Sequence, residues 1–329
     1  MKLAVGFLTY EQSSAKYLAE FLPSLYAALK FLPARQFQIY AFDNSEADDN
    51  ANRLALEFFN RESSRQGIKT VTYFSRGFNL GFARAYNFLL QKAWEAEAEY
   101  FLIINPDTLL EPDSLRYLVA ALDSEEDLVA VSPKLRRWDF SKRERTSLID
   151  SCGLILKPGL RFLDLGQGEE DRGQFDRQPI IGPSGAAGLF RLSILEKIKE
   201  KRVLGENRNQ YFDERFFMYK EDCDLAYRLY SAGYKCRLVP AAVIYHDRTA
   251  ASSGAGFLRR LKDWRQKNRQ IRAWSFRNQN FLFVKHWQKQ NFVNKIIIAF
   301  RFFFFFIFSL ILAQFLLKEY RYILFSKEY

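Results

Sequence analysis

Cysteine and histidine are scarce in this chain, and the scarcity narrows what it can be. Cys152, Cys223 and Cys236 are its only cysteines; they are odd in number and form no CxxC pair. That excludes a zinc knuckle and a disulfide framework and fits a reducing cytosol. Only His246 and His286 are available as imidazoles. No internal repeat of fixed period is present. The first apolar run, Leu3 to Leu8, is short and passes straight into Thr9-Tyr10-Glu11-Gln12, so it reads as a buried strand rather than a signal peptide.

What is plentiful is aromatic and basic. Of 329 residues, 33 are Phe and 17 Tyr, more than a typical soluble core requires. With 48% hydrophobic and 26% charged residues the composition is globular, not disordered, collagen-like or polytopic. Net charge is +11, and its location decides its meaning. Residues 247–329 hold 16 Lys+Arg against 4 Asp+Glu, a net +12, which leaves −1 for residues 1–246. A nucleic-acid binder is therefore disfavoured, because the basic excess belongs to one apolar C-terminal region.

Short apolar runs alternate with helix-period stretches through the first half, the βαβ signature of an open, mostly parallel sheet covered on both faces. Strands are expected at residues 3–9, 38–43, 70–75, 100–105 and 128–132, and helices at about 13–31, 48–65, 81–95 and 112–122. The charged stretch 136–145 and the polar stretch 166–177 read as surface loops. A strand is expected at 237–245. From Phe257, the apolar residues Leu258, Leu261, Trp264, Ile271 and Trp274 recur at helical spacing with Arg and Lys on the other face, a basic amphipathic helix. Residues 296–317 follow, 22 residues broken only by Arg301, Ser309 and Gln314. At ~1.5 Å per residue they reach about 33 Å, so a membrane span, an in-plane interfacial helix and a dimer-core helix all stay open.

In an open α/β sheet, ligands bind beyond the carboxyl ends of the strands. Asp43-Asn44-Ser45 and Asn105-Pro106-Asp107-Thr108 stand at two such ends, beside Thr9-Tyr10 at a third. Further on, Phe212-Asp213-Glu214 leads to Glu221-Asp222, where a helix begins. Its spacing puts Asp222 on the face of Leu225, Ala226 and Leu229, while Asp224 pairs with Arg228 as an ordinary surface ion pair. His246 ends the next apolar strand, and with Asp107 it offers mixed oxygen and nitrogen ligation for Mn²⁺ or Mg²⁺. His286 reads as a surface residue. Gly185 to Gly188, small throughout, suit either a tight turn or close backbone approach to a substrate.

Taken together and in order, Asp43-Asn44-Ser45, the run Asn79-Leu80-Gly81-Phe82-Ala83-Arg84-Ala85-Tyr86-Asn87, Asn105-Pro106-Asp107-Thr108, Phe212-Asp213-Glu214, Glu221-Asp222 and His246 resemble the family 2 glycosyltransferases. The similarity is greatest to the bacterial rhamnosyltransferases of surface polysaccharide assembly, and it covers roughly residues 1–250. It implies a GT-A fold, a nucleoside diphosphate sugar donor, Mg²⁺ or Mn²⁺, and inversion at the anomeric carbon. By the same resemblance Asp43 contacts the nucleobase and Asp107 binds metal. Asp222 is the catalytic base, and His246 lies by the diphosphate and metal. Thr9, Tyr10, Glu11, Asn79, Gly81, Arg84 and Asn105 fall on the donor side, Gly185 and Glu221 on the acceptor side. Glu11 stands where many members carry Asn, and Asn105 replaces the first acid of a full DxD.

The expected organisation is a transferase domain over residues 1–250, a basic amphipathic segment over 251–290 and a Phe-rich membrane-associating segment over 291–329. The expected setting is the cytoplasmic face of a membrane, peripheral or single-pass, with a glycan or lipid-linked acceptor, no nucleic acid, and room for a homo-oligomer. Two alternatives stand beside it. A sugar-1-phosphate nucleotidyltransferase would want a Gly-rich, basic signature after the first strand, whereas Thr9 to Ser14 has no glycine. A non-catalytic membrane adaptor would have no need to retain Asp43, Asp107, Asp222 and His246 together.

Overall fold

The computed structural model describes residues 1–47, 50–201, 209–248, 264–266 and 268–324. Its strands are β1 (Leu3–Thr9), β2 (Phe37–Asp43), β3 (Val71–Ser75), β4 (Tyr100–Ile104), β5 (Thr108–Leu110), β6 (Leu128–Asp139), β7 (Glu144–Ser151), β8 (Leu154–Lys157), β9 (Arg161–Asp164), β10 (Ala187–Arg191), β11 (Glu200–Lys201), β12 (Asn209–Gln210) and β13 (Lys235–His246). Its helices are α1 (Glu11–Leu29), α2 (Ala51–Arg65), α3 (Gly81–Glu95), α4 (Ser114–Ser124), α5 (Leu192–Lys197), α6 (Glu221–Ser231), α7 (Arg269–His286), α8 (Phe292–Leu312) and α9 (Leu317–Leu324).

The main sheet runs β3-β2-β1-β4-β10-β6-β13-β5, with β7 on β6. β1 to β4 are mutually parallel where they pair, as the βα alternation requires. β10 enters antiparallel between β4 and β6, and β5 runs antiparallel to β13. No crossover helix precedes β10, so nothing in its connection imposes the parallel direction. Leu18, Phe21 and Leu25 of α1, Leu56 of α2 and Leu118 of α4 cover one face of the sheet. Tyr86 and Leu89 of α3, Leu195 of α5 and Leu229 of α6 cover the other.

Two segments differ from the sequence reading. The charged stretch at 136–145 is the tip of the long β6–β7 hairpin rather than a loop. Its arginines mask the alternation that buries Leu135, Trp138 and Ile149. The basic C-terminal helix also behaves differently. Residues 249–263 lie outside the described residues, but α7 turns Asn278, Phe281, Leu282 and Phe283 into the protein. Phe281 and Phe283, with Ile298 of α8, share a core with Phe216, Cys223, Ala226 and Tyr227. His286 is buried, not on the surface, and Nε2 of its ring meets Asp224 Oδ1 at 2.8 Å. Asp224 is correspondingly no surface pair: it is fully buried, accepting from Arg228 Nε and Lys285 Nζ at 2.9 Å each.

Candidate active site

The strand order sets Asp43, Thr9 and the 105–107 turn side by side at one edge of the sheet, with Asp43 and Thr9 in direct register. Hydrogen bonds then tie the remaining candidates to that edge. Asn105 N–H donates to Ala186 O at 2.9 Å, and the adjoining Gly185 N–H donates to Asp222 Oδ2 at 3.0 Å. On the other side Asp247 N–H donates to Asp107 O at 2.9 Å, which seats His246 beside Asp107. One continuous chain of contacts thus runs from Asp222 through Gly185 and Asn105 to Asp107 and His246.

Asp222 sits at the start of α6, its second oxygen accepting from Cys223 N–H at 2.7 Å. Two backbone donors hold the carboxylate in one orientation, at a small cavity lined by Phe82, Ile103, Gly185, Phe190, Leu225 and Leu229. Its neighbour Glu221 is a different kind of acid. Burial, and then the charge of Asp222, push the Glu221 carboxyl well above the usual carboxylate range, and its Oε2 has no hydrogen-bond partner among the described residues.

Asp107 and His246 face each other, Oδ1 to Nε2, at 3.4 Å. The far side of the ring is held by Asp150, whose Oδ2 lies 2.8 Å from Nδ1. Burial by itself lowers the imidazole pKa; without a cation between them, the Asp107 and Asp150 carboxylates outweigh it and hold His246 up to about 10, so a divalent ion would bind Nε2 by displacing its proton. Arg248 bridges Asp150 and Asp164, at 3.3 and 3.1 Å. Among the described residues Asp107 Oδ1 is buried with no hydrogen bond, His246 Nε2 at 3.4 Å being its ionic neighbour, and such an oxygen is available to a cation. An oxygen and a nitrogen with a carboxylate behind the imidazole suit Mn²⁺ or Mg²⁺ as a partial ligand set. Among the described residues no group of three or more His, Cys, Asp or Glu is arranged to hold a metal ion, so a cation bound here would need further ligands from substrate or water.

On the donor side the arrangement is mixed. Asp43 is fully buried, and its oxygens accept from Ser45 Oγ at 2.7 Å, Tyr73 OH at 2.8 Å and Asn50 Nδ2 at 2.9 Å. The carboxylate therefore organises the loop after β2, and the structure does not leave it open to a base. Glu11, at φ 46°, donates its N–H to Ser45 Oγ and accepts Asn52 Nδ2 at its carbonyl, which locks α1 to that loop. Tyr10 beside it is exposed, and Thr9 Oγ1 is buried with no hydrogen-bond partner among the described residues. Asn79 Oδ1 accepts from Gly81 N–H at 2.8 Å. Gly81 has φ 74°, and a Cβ there would fall 2.5 Å from Phe217 O, so only glycine fits. Arg84 points to Glu214, 3.1 Å away, rather than into the cleft.

Sequence reading missed Asp150, Asp164 and Arg248. Asp150 lies on β7, between stretches read as loops, and its one signal is the short run Leu148-Ile149 before it, too brief to reveal a strand.

Comparison with known proteins places the chain. Residues 5–199, more than half of it, match the family described as glycosyl transferase family 2, and residues 177–326 match glycosyl transferase family group 2. A relative from Mycobacterium tuberculosis, N-acetylglucosaminyl-diphospho-decaprenol L-rhamnosyltransferase, is 27% identical over 266 residues, 77% of this chain and 78% of its own. Among solved structures, S. aureus TarS 1–349 has a TM-score of 0.50 at 17% identity, covering 86% of this chain and 72% of that one. GalNAc-T7 with UDP, GalNAc and Mn²⁺ has a TM-score of 0.53 at 11% identity, covering 91% and 54%. These likenesses are of fold.

Proposed function

Because the chain is a member of glycosyl transferase family 2, we propose that it transfers a sugar from a nucleoside diphosphate donor to a hydroxyl of a lipid-linked glycan, with inversion and with Asp222 as base. The observation that carries this reading is the chain of contacts joining Asp222 to Asp107 and His246 through Gly185 and Asn105. Asp222 takes the proton of the acceptor hydroxyl as its oxygen attacks the anomeric carbon, and the bond to the diphosphate breaks on the opposite side. One displacement inverts the centre. Glu221, whose carboxyl burial pushes well above the usual carboxylate range, is the poorer base of the two. Asp107 and His246 would hold a divalent cation, which when bound neutralises charge on the departing diphosphate. Asp150 fixes the ring so that Nε2 faces Asp107.

The relative's name supports a rhamnosyl donor and a polyprenyl-diphosphate-linked acceptor, and GalNAc-T7 supports Mn²⁺. A panel of nucleotide sugars, assayed with Mn²⁺ or Mg²⁺ and a short-chain N-acetylglucosaminyl-diphospho-lipid, tests the whole reading. One donor should be consumed, the product anomer should be opposite to the donor's, and EDTA should stop the reaction until Mn²⁺ is restored. Retention of configuration, or a rate indifferent to EDTA, contradicts it.

α8 supports a membrane-surface location. Val293, Ile296, Phe300, Phe303, Phe304 and Ile311 form one exposed stripe at helical spacing. The opposite side is fastened to the protein: Asn294 Oδ1 accepts Gly159 N–H at 3.2 Å, Arg301 donates to Gly159 O, and Phe305 meets Phe276 and Phe283. A helix fastened to the protein on one side and apolar on the other suits the plane of the bilayer surface, and the lysines and arginines around it favour anionic headgroups. This is a peripheral enzyme on the membrane that carries its acceptor.

A further inference from the structure

The segment that delivers Asp222 is strained. Phe217 has φ 59° and ψ −64°, and Met218 N–H donates back to Phe216 O at 2.6 Å, a γ-turn of the rare, positive-φ kind. Tyr219 and Lys220 follow at φ 71° and 72°, so three of the four residues before α6 occupy backbone regions that side chains disfavour. None of the three is glycine, and each costs about 1–3 kcal/mol and persists only where its surroundings over-determine it. Lys220 is the residue that caps the start of α6, two before Asp222.

What holds the turn comes from a helix more than fifty residues away. Asn278 of α7 is fully buried, and its Nδ2 lies 2.7 Å from Phe216 O, 2.8 Å from Met218 O and 2.7 Å from Tyr219 O. Two amide hydrogens are shared among three carbonyls that the strained turn leaves without a helical or sheet partner. The same face of α7 continues the contact. Trp274 packs on Phe217, Phe281 on Phe216, and Lys285 reaches Asp213 at 2.8 Å. Positions 274, 278, 281 and 285 recur at spacings of four and three, which is one helical stripe laid along residues 213–219.

The turn also serves the donor side. Phe217 O accepts Phe82 N–H at 2.7 Å and Ala83 N–H at 3.3 Å, filling the N-terminal donors of α3, which has no side-chain cap. Gly81, with no room for a Cβ, is pressed against the same carbonyl. The turn therefore has two outputs, the seat of Asp222 and the seat of the Asn79–Gly81 loop, and Asn278 is the side chain that bonds three of its carbonyls.

We propose that Asn278 is a positioning residue for sugar transfer: its amide holds the Phe216–Lys220 turn in its strained form and so fixes Asp222 relative to the donor. The proposal rests on the reading of Asp222 as the base. Misplacing a reacting group by about 1 Å can cost on the order of 10²-fold in rate without a comparable loss of binding. Asp107, in the turn between β4 and β5, and His246, at the end of β13, face the diphosphate in that reading and are not held by Asn278.

The test compares full-length wild type, Asn278→Ala, and Asn278→Ala combined with Tyr219→Gly. Glycine takes the left-handed conformation freely, so the double variant regains the turn without the amide. Turnover per folded molecule is measured with the donor the wild type uses, the folded fraction by near-UV circular dichroism, and affinity by calorimetry with UDP and dTDP in Mn²⁺. Asn278→Ala should lose on the order of 10²-fold in kcat, keep the nucleotide Kd within about 3-fold, and recover part of kcat in the double variant. A kcat equal to wild type overturns the proposal, and so does a loss that merely follows the folded fraction. If Asn278→Ala does not fold, Asn278→Ser decides: one hydroxyl cannot serve three carbonyls, so kcat should fall while the nucleotide Kd stays within about 3-fold, and a kcat equal to wild type overturns the proposal. Absence of turnover in the wild type would instead overturn the transferase reading, and this proposal with it.

Discussion

At the scale of the residue, two adjacent carboxyls divide the work by environment. Asp222 is held by two backbone N–H groups, whereas Glu221 is buried beside it with an oxygen that bonds nothing among the described residues. A Glu whose folded pKa is raised keeps its proton when the unfolded chain has lost it. It therefore weakens the fold as pH rises above the unfolded value of about 4.3, until the folded pKa is reached. Glu221→Gln should keep turnover within about 3-fold and melt higher than wild type at pH 8, with the gap closing near pH 4; a large loss of activity would show that Glu221 acts as an ionised group. Asp107, Asp222 and His246 were legible in the sequence because each stands where a strand ends or a helix begins. Asp150 was not, since its meaning depends on a hairpin partner that puts it against His246. The geometry of Asp43, closed in by Ser45, Asn50 and Tyr73, was equally invisible.

Between elements, the weight falls on α6 against α7. Asp224 carries Arg228 and His286, both buried, and the largely buried Lys285. Burial alone raises its pKa, but Lys285 and Arg228 prevail and hold it well below the usual carboxylate range. Removing one partner leaves buried charge uncompensated, which costs about 3–5 kcal/mol. Asp224→Ala should lose that much in urea unfolding at pH 7, and the loss should shrink only as pH falls below about 4, because a depressed pKa gives stability that is complete above the unfolded value. A loss below 1 kcal/mol would contradict the buried network. The spacing of Asp224 and Arg228 announced a pair on one helix. The segment that buries them lies some sixty residues on, and nothing in the local pattern reveals it. For the same reason the basic residues of α7 looked like a solvated or lipid-facing surface, although Lys285 is matched by Asp213 and Asp224.

For the molecule as a whole, the α/β class and the four parallel strands could be read from alternating runs, whereas the reversal at β10 could not, because Ala187 to Arg191 carries no mark of direction. The C-terminal helices pack on the core that backs α6, so removing them would expose that core rather than release an independent anchor. The membrane face is better tested from outside. Phe300→Ser with Phe304→Ser, both exposed, should leave the melting temperature within about 2 °C while lowering binding to phosphatidylglycerol-containing vesicles about 10-fold or more, each large apolar side chain contributing roughly 1.5–3 kcal/mol when fully buried. Equal vesicle binding by both proteins would contradict a lipid-facing α8, and a concentration-dependent change in mass would point to a second copy instead.

The central claim, that Asp222 removes the acceptor's proton while Asp107 and His246 serve the donor, is tested most directly by Asp222→Asn in the full-length protein, with donor affinity and transfer rate measured side by side. Affinity should stay within about 3-fold while the rate falls by ~10² to 10⁴. A rate undiminished, or a loss of affinity equal to the loss of rate, would contradict the account.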